Sequence, residues 1–173
     1  LASWGRVAQV QPRDSTGYGA IAGPRGIAVG PEGSIYVTDT GNNRVQVFDA
    51  QGTFVFEFGR GGDGPGEFEE PSGIAISDAG EVFVADTWRR RLQVFSPDGL
   101  FLRQWEVPVL AYAQPDVRPH LALNGGRVFV TDPAFQRVLV FDAEGVLLTT
   151  LRDDDNPIRP AGVAVGGDRV YVT

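Results

Sequence analysis

The chain has 173 residues, 42% of them hydrophobic, with a formal net charge of -7 and a pI near 4.6. That is enough apolar material for a sizeable core, and no apolar run approaches the roughly 18–20 residues of a membrane-spanning helix. The acidic balance argues against a general nucleic-acid surface, the N-terminus carries no signal-peptide pattern, and the absence of cysteine excludes disulfides and thiolate metal sites.

In chain order, the first recognisable words are "ASWG" at residues 2–5, which match "FEFG" at residues 56–59 as the tail of a repeat. Pro24, Pro71, Pro119 and Pro160 then open segments of similar wording: "PRGIAVGPEG", "PSGIAISDAG", "PHLALNGG" and "PAGVAVGGD". Each full copy continues through an aspartate (Asp39, Asp86, Asp132), an arginine five residues on (Arg44, Arg91, Arg137), and a Val–Phe pair ending at Phe48, Phe95 or Phe141. Matching positions of the three full copies lie 46–48 residues apart, a period of solenoids and propellers.

Every copy reads as four short strands rich in Val, Ile, Phe and Tyr, punctuated by Gly, Asp, Asn and Pro. In the second copy they are expected at 73–77, 82–86, 91–96 and 100–106, and the innermost strands of the successive copies at 26–29, 73–76, 120–123 and 162–165. The turns "DAQG", "SPDG" and "DAEG" end at Gly52, Gly99 and Gly145, where a type I turn is followed by a residue of positive φ. Helical periodicity is absent. The expected fold is all-β: a propeller of four-stranded antiparallel blades whose inner strands are apolar throughout because neighbours cover both faces.

"GIAVGPEGSIYVTDTGNNRVQVFDAQG" resembles the NHL repeat, most recognisably in the Asp–(four residues)–Arg–Val–Gln–Val–Phe segment. The third copy departs furthest, with "DPAFQR" in place of "DTGNNR". The resemblance implies a ring that is most often six-bladed. The expected division is a last strand and connection at 1–23, blades at 24–70, 71–118 and 119–159, and the start of another at 160–173. Such a partial ring would bare an apolar face at each end. It is therefore expected to be an internal piece of a longer chain, consistent with the absence of methionine, with completion by a second copy as the alternative. All 15 basic residues are arginine, a usage that fits GC-rich bacterial coding.

The repeated pairs Asp39–Arg44, Asp86–Arg91 and Asp132–Arg137 occur once per blade, which marks them as structural: a carboxylate and a guanidinium meeting across a hairpin mouth. What varies between copies points to recognition. The second-to-third-strand loops carry Trp88, Arg89 and Arg90 in one copy and Phe135 and Gln136 in the next, residue types found in interface hot spots. Tyr112, in the long apolar connection at 106–118, joins them as a candidate binding residue. The glycine-rich "GRGGDGPGEFEE" at 59–70 precedes a strand and lacks a Lys–Ser/Thr ending, so it is not expected to cradle phosphate. "RDDDNP" at 152–157 has no fixed ligand spacing and reads as a solvated acidic loop.

The chain is therefore expected to be a non-catalytic protein-interaction or scaffold module, needing no cofactor or metal, whose partner is a protein or the remaining blades of its own chain. By resemblance, bacterial repeats of this kind belong to envelope-associated proteins, with any membrane association through other parts. The alternative is a propeller enzyme of lyase or lactonase type with a metal centre in the ring channel, where His120, the single histidine, would stand. RNA binding is the lesser alternative: Arg89, Arg90 and Arg91 cluster, but the inter-blade loops are acidic.

Overall fold

The computed structural model describes residues 19–107, 118–155, 157 and 159–173. The tail at residues 2–5 and Tyr112 lie outside them. Three four-stranded antiparallel sheets follow one another, each a simple meander. The first joins β1 (Ile27–Val29), β2 (Ile35–Asp39), β3 (Arg44–Phe48) and β4 (Phe54–Phe58). The second joins β5 (Pro71–Ile76), β6 (Val82–Asp86), β7 (Arg91–Phe95) and β8 (Phe101–Glu106). The third joins β9 (Leu121–Asn124), β10 (Arg127–Asp132), β11 (Arg137–Asp142) and β12 (Leu147–Leu151), and a hairpin of β13 (Val163–Gly166) and β14 (Arg169–Val172) begins a fourth.

The innermost strands shift slightly from the expected bounds. β5 starts two residues early at Pro71, whereas β9 starts one late, at Leu121, leaving His120 ahead of the strand. The His120 amide donates to the Thr131 hydroxyl at 2.8 Å, so a side chain takes the place of the first ladder acceptor. In the second sheet the third strand ends at Phe95 and the fourth begins at Phe101, each one residue inside the expected limits.

The core lies between the sheets, not within any of them. Tyr36, Val45, Val47 and Phe58 of the first pack on Ile74, Val82, Val84 and Phe95 of the second. Leu92, Val94 and Val107 of the second pack on Leu121, Val128, Leu139 and Phe141 of the third. The middle blade is therefore covered on both sides, and every residue of β6 and β7 is buried. This is the physical reason β6 and β7 carry apolar residues on both faces, with Asp86, Arg91 and Gln93 as buried polar exceptions, whereas the outer β8 alternates. At the two ends Ile27 (69% exposed) and Tyr171 (54% exposed) show faces that no further blade among the described residues covers.

The first strands β1, β5, β9 and β13 contact one another from blade to blade, so they lie nearest the ring axis. The third-to-fourth hairpins repeat one bulge, at Val47/Phe48, Val94/Phe95 and Val140/Phe141. Gly52, Gly99 and Gly145 hold the expected left-handed turn position, at φ 82, 82 and 91. The last two also receive an aromatic ring from the preceding blade: a Cβ on Gly99 would lie 2.8 Å from Phe58, and one on Gly145 would lie 2.4 Å from Trp105.

Candidate binding face

The second-to-third-strand loops and the inter-blade connections share one end of the ring, and the repeated Asp–Arg pairs hold them together. Arg44 Nε donates to Asp39 at 2.7 Å, Arg91 Nε to Asp86 at 2.8 Å and Arg137 Nε to Asp132 at 2.7 Å. The carboxylates are almost wholly inaccessible. Burial pushes the Asp86 and Asp132 carboxyls up from their ordinary range, against the opposing pull of their hydrogen bonds and arginines.

The pairs of the first two blades also grip the connection that leads into their own blade. Asp86 accepts the Glu69 amide at 2.7 Å, while the Arg91 guanidinium donates to the carbonyls of Asp63, Gly64 and Glu67. Gln93 completes the clamp, donating to the Glu67 carbonyl and accepting the Gly66 amide at 2.9 Å. The first blade repeats the design: Asp39 takes the Ala22 amide, and Arg44 and Gln46 both donate to the Ala20 carbonyl. Sequence reasoning named the Asp and Arg but passed over the Gln. The available signal was a polar residue placed between two buried aliphatic residues in the first two copies of the motif, Val45 and Val47 about Gln46 and Leu92 and Val94 about Gln93. The third copy carries Leu139 there instead.

The glycine-rich connection at 59–70 is a folded loop. Phe68 is fully buried with its ring 5.5 Å from that of Phe95, and Glu67 accepts the Gly64 amide. The amides of Gly62, Gly66, Glu67, Phe68, Glu69 and Glu70 also have acceptors within the protein. A phosphate would have to displace those bonds, so the loop has no open nest of N–H groups to offer.

Against this frame stand the candidate binding residues. Trp88 is 60% exposed and Phe135 44% exposed, at equivalent loop tips of adjacent blades. Arg89 is pinned by Asp63 and by Glu69 at 2.9 Å, so it is not a free cation. Phe135 carries the Arg137 guanidinium 5.1 Å from its ring centre, which ties it to the third Asp–Arg pair as well as to the surface. Arg90 and Gln136 occupy a backbone position the sequence did not reveal. Asn43, Arg90 and Gln136 all adopt left-handed conformations, at φ 53, 55 and 53, as the hairpin closes toward the clamp arginine. Asparagine tolerates that region; arginine is strained there. Arg90→Asn is accordingly expected to raise the melting temperature by about 2–3 °C, from relief of roughly 1 kcal/mol. A lower melting temperature would show that the Arg90 side chain holds something in place.

The four-stranded meanders, their blade-to-blade cores and the repeated loop clamps define a propeller. Residues 27–118 match the 6-bladed beta-propeller family, and the chain belongs to it. Among curated proteins it is 46% identical over 44 residues to Protein brain tumor of Drosophila melanogaster, covering 25% of this chain and 4% of that protein. It is 49% identical over 39 residues to B-box type zinc finger protein ncl-1 of Caenorhabditis elegans, covering 22% of this chain and 5% of that one. Among solved structures it superposes on virginiamycin B lyase from Staphylococcus aureus with a TM-score of 0.65 at 15% identity, covering 85% of this chain and 47% of the lyase. A propeller from a nidogen/laminin complex gives a TM-score of 0.63 at 21% identity, covering 88% of this chain and 56% of that one. The chain spans about half the length of these solved propellers and a small fraction of the curated relatives. At these identities the structural likeness concerns the fold.

Proposed function

We propose that this chain is part of an NHL-type propeller whose loop face is a non-catalytic protein-interaction surface in a larger bacterial protein. The observation that carries the reading is Trp88: a large aromatic 60% exposed on a loop whose backbone is fixed by the clamp beneath it. A rigid aromatic contact loses little conformational entropy on binding, which is why such residues dominate interface energetics. The nidogen/laminin neighbour supports it as a propeller found in a protein complex. The second reading, a lyase, draws on the superposition with virginiamycin B lyase.

The test is affinity capture from the source cell with the protein and its Trp88→Ala variant, followed by measurement on the purified partner. Because Trp88 is exposed, the variant should keep its melting temperature, and its affinity should fall by at least about tenfold, near 1.4 kcal/mol. Equal affinity for both would remove the assignment. Capture of RNA, weakening steeply with salt and lost when Arg89 and Arg90 are replaced together, would replace it with a nucleic-acid function. Metal retained after dialysis, with turnover lost in His120→Ala, would favour the lyase.

A further inference from the structure

The entrance to the axial channel has a chemistry unlike the rest of the chain. Each copy enters its innermost strand through a residue, a proline and a second residue: Gly23 and Arg25, Glu70 and Ser72, Arg118 and His120, Arg159 and Ala161. Because β1, β5, β9 and β13 pack on one another around the axis, these positions ring the entrance. In a chain of net charge -7 they hold three arginines, Arg25, Arg118 and Arg159, with the single histidine, His120, and one carboxylate, Glu70.

Two of these residues are held at a cost. The Arg118 side chain is only 9% exposed; its Nη2 meets the Glu70 carboxylate, while its buried Nε has no hydrogen-bond partner among the described residues. An unmet guanidinium N–H is rare because nothing repays its lost hydration. Glu70 stands at φ 57, the conformation that Gly23 adopts at φ 55 in the preceding copy. Its backbone is fixed there by Asn43, which accepts its amide at 2.9 Å, and by Thr87, which donates to its carbonyl. Left-handed strain on a residue with a Cβ gathers at ligand clamps and switch points.

The geometry points to a carboxylate-binding site at the channel entrance, in which Glu70 is a built-in placeholder on Arg118. Nε and Nη2 form the side-on edge of a guanidinium, the edge a carboxylate bridges with two parallel hydrogen bonds. Glu70 reaches only Nη2. An incoming carboxylate takes both donors, satisfies the orphaned Nε and releases the Glu70 side chain, already 37% exposed, to water. Arg25 and Arg159, both exposed, supply the positive field that draws it in. This site lies at the same end of the ring as the Trp88 loop but does not use the indole, and it stands whether or not Trp88 binds a protein. The carboxylate could come from a free acid or from the C-terminus of a peptide.

His120 provides a local probe, because the chain has a single histidine and hence one set of imidazole signals. The folded protein is titrated at low ionic strength with succinate, with succinamide as the uncharged control, and with a tripeptide as free acid and as amide. Succinate or the free-acid peptide should give a saturable shift of the His120 ring signals, the amides none; which acid binds more tightly identifies the source. The shift should vanish in Arg118→Gln. In Glu70→Gly, which removes competitor and strain together, binding should be about tenfold tighter. A merely structural ion pair predicts the opposite: no saturable shift in the wild-type protein or in Glu70→Gly. Either that result or an undiminished shift in Arg118→Gln would overturn the site. If Arg118→Gln fails to fold, Glu70→Gly alone decides between the two.

Discussion

Gly73→Ala is expected to lower the melting temperature by about 6–12 °C, the equivalent of roughly 3 kcal/mol in a chain of this size. Gly73 lies in β5, and its backbone is not in the left-handed region, so the loss does not come from conformational freedom. It comes from space. A Cβ there would sit 2.6 Å from the Pro119 carbonyl oxygen and 3.2 Å from Leu121 Cγ, on the innermost strand of the next blade. A backbone carbonyl two residues ahead of a packed inner strand cannot swing aside as a long side chain can, so the two blades must separate at the axis. The control is Gly166→Ala in β13, where nothing lies within 4 Å and φ is ordinary. That change should be neutral or slightly stabilising, since alanine reduces the freedom of the unfolded chain. Equal melting temperatures for the two variants would show that the inner strands are not as closely packed as the structure has them.

The second large effect is expected at Asp86. Asp86→Ala removes the acceptor for three donors at once, the Glu69 amide, Arg91 Nε and Gln93 Nε2, and leaves a buried guanidinium without its counter-charge. Breaking a buried pair in this way costs about 3–5 kcal/mol, here a fall of about 10 °C. Asp86→Asn should not rescue it. An amide can still accept the Glu69 N–H through its oxygen, but its NH₂ then faces Arg91 and Gln93, donor against donor. The third blade is the internal comparison. Asp132 is paired with Arg137, whose side chain is 27% exposed against 8% for Arg91, and Leu139 stands where the other blades have glutamine. Water can reach Arg137 when its partner is removed, so Asp132→Ala should cost only about 1–2 kcal/mol. Thermal melts of the three variants side by side are decisive: if Asp86→Ala melts no lower than Asp132→Ala, the clamp is not what secures the loop at 59–70.

The strand pattern was legible because it depends on neighbours only in kind. Valines and phenylalanines repeated at a fixed period must pack on another copy of themselves, so four strands per copy, the glycine turns and the sheet order follow from the text. The Asp–Arg pairs could be found for the same reason: a residue written once in every blade is doing something that every blade needs.

The third member of the clamp was not legible. Gln46 and Gln93 read as polar interruptions of a strand until their partners, the Ala20 and Glu67 carbonyls, arrive from a connection about 26 residues earlier in the chain. The left-handed backbone at Arg90 and Glu70 was equally hidden. Both residues sit where another copy has asparagine or glycine, and only closure of the loops around them forces the conformation. Trp88 shows the boundary most clearly. Its place in the repeat marked it as variable, but whether an indole at that place folds back over a blade or faces water depends on what the adjacent loop fills first. In the structure the indole is 60% exposed, on a loop whose Trp88 amide is tied to the Glu69 carbonyl; the repeat set the strands by itself, while long-range hydrogen bonds and packing between blades decided which side chains were left facing solvent.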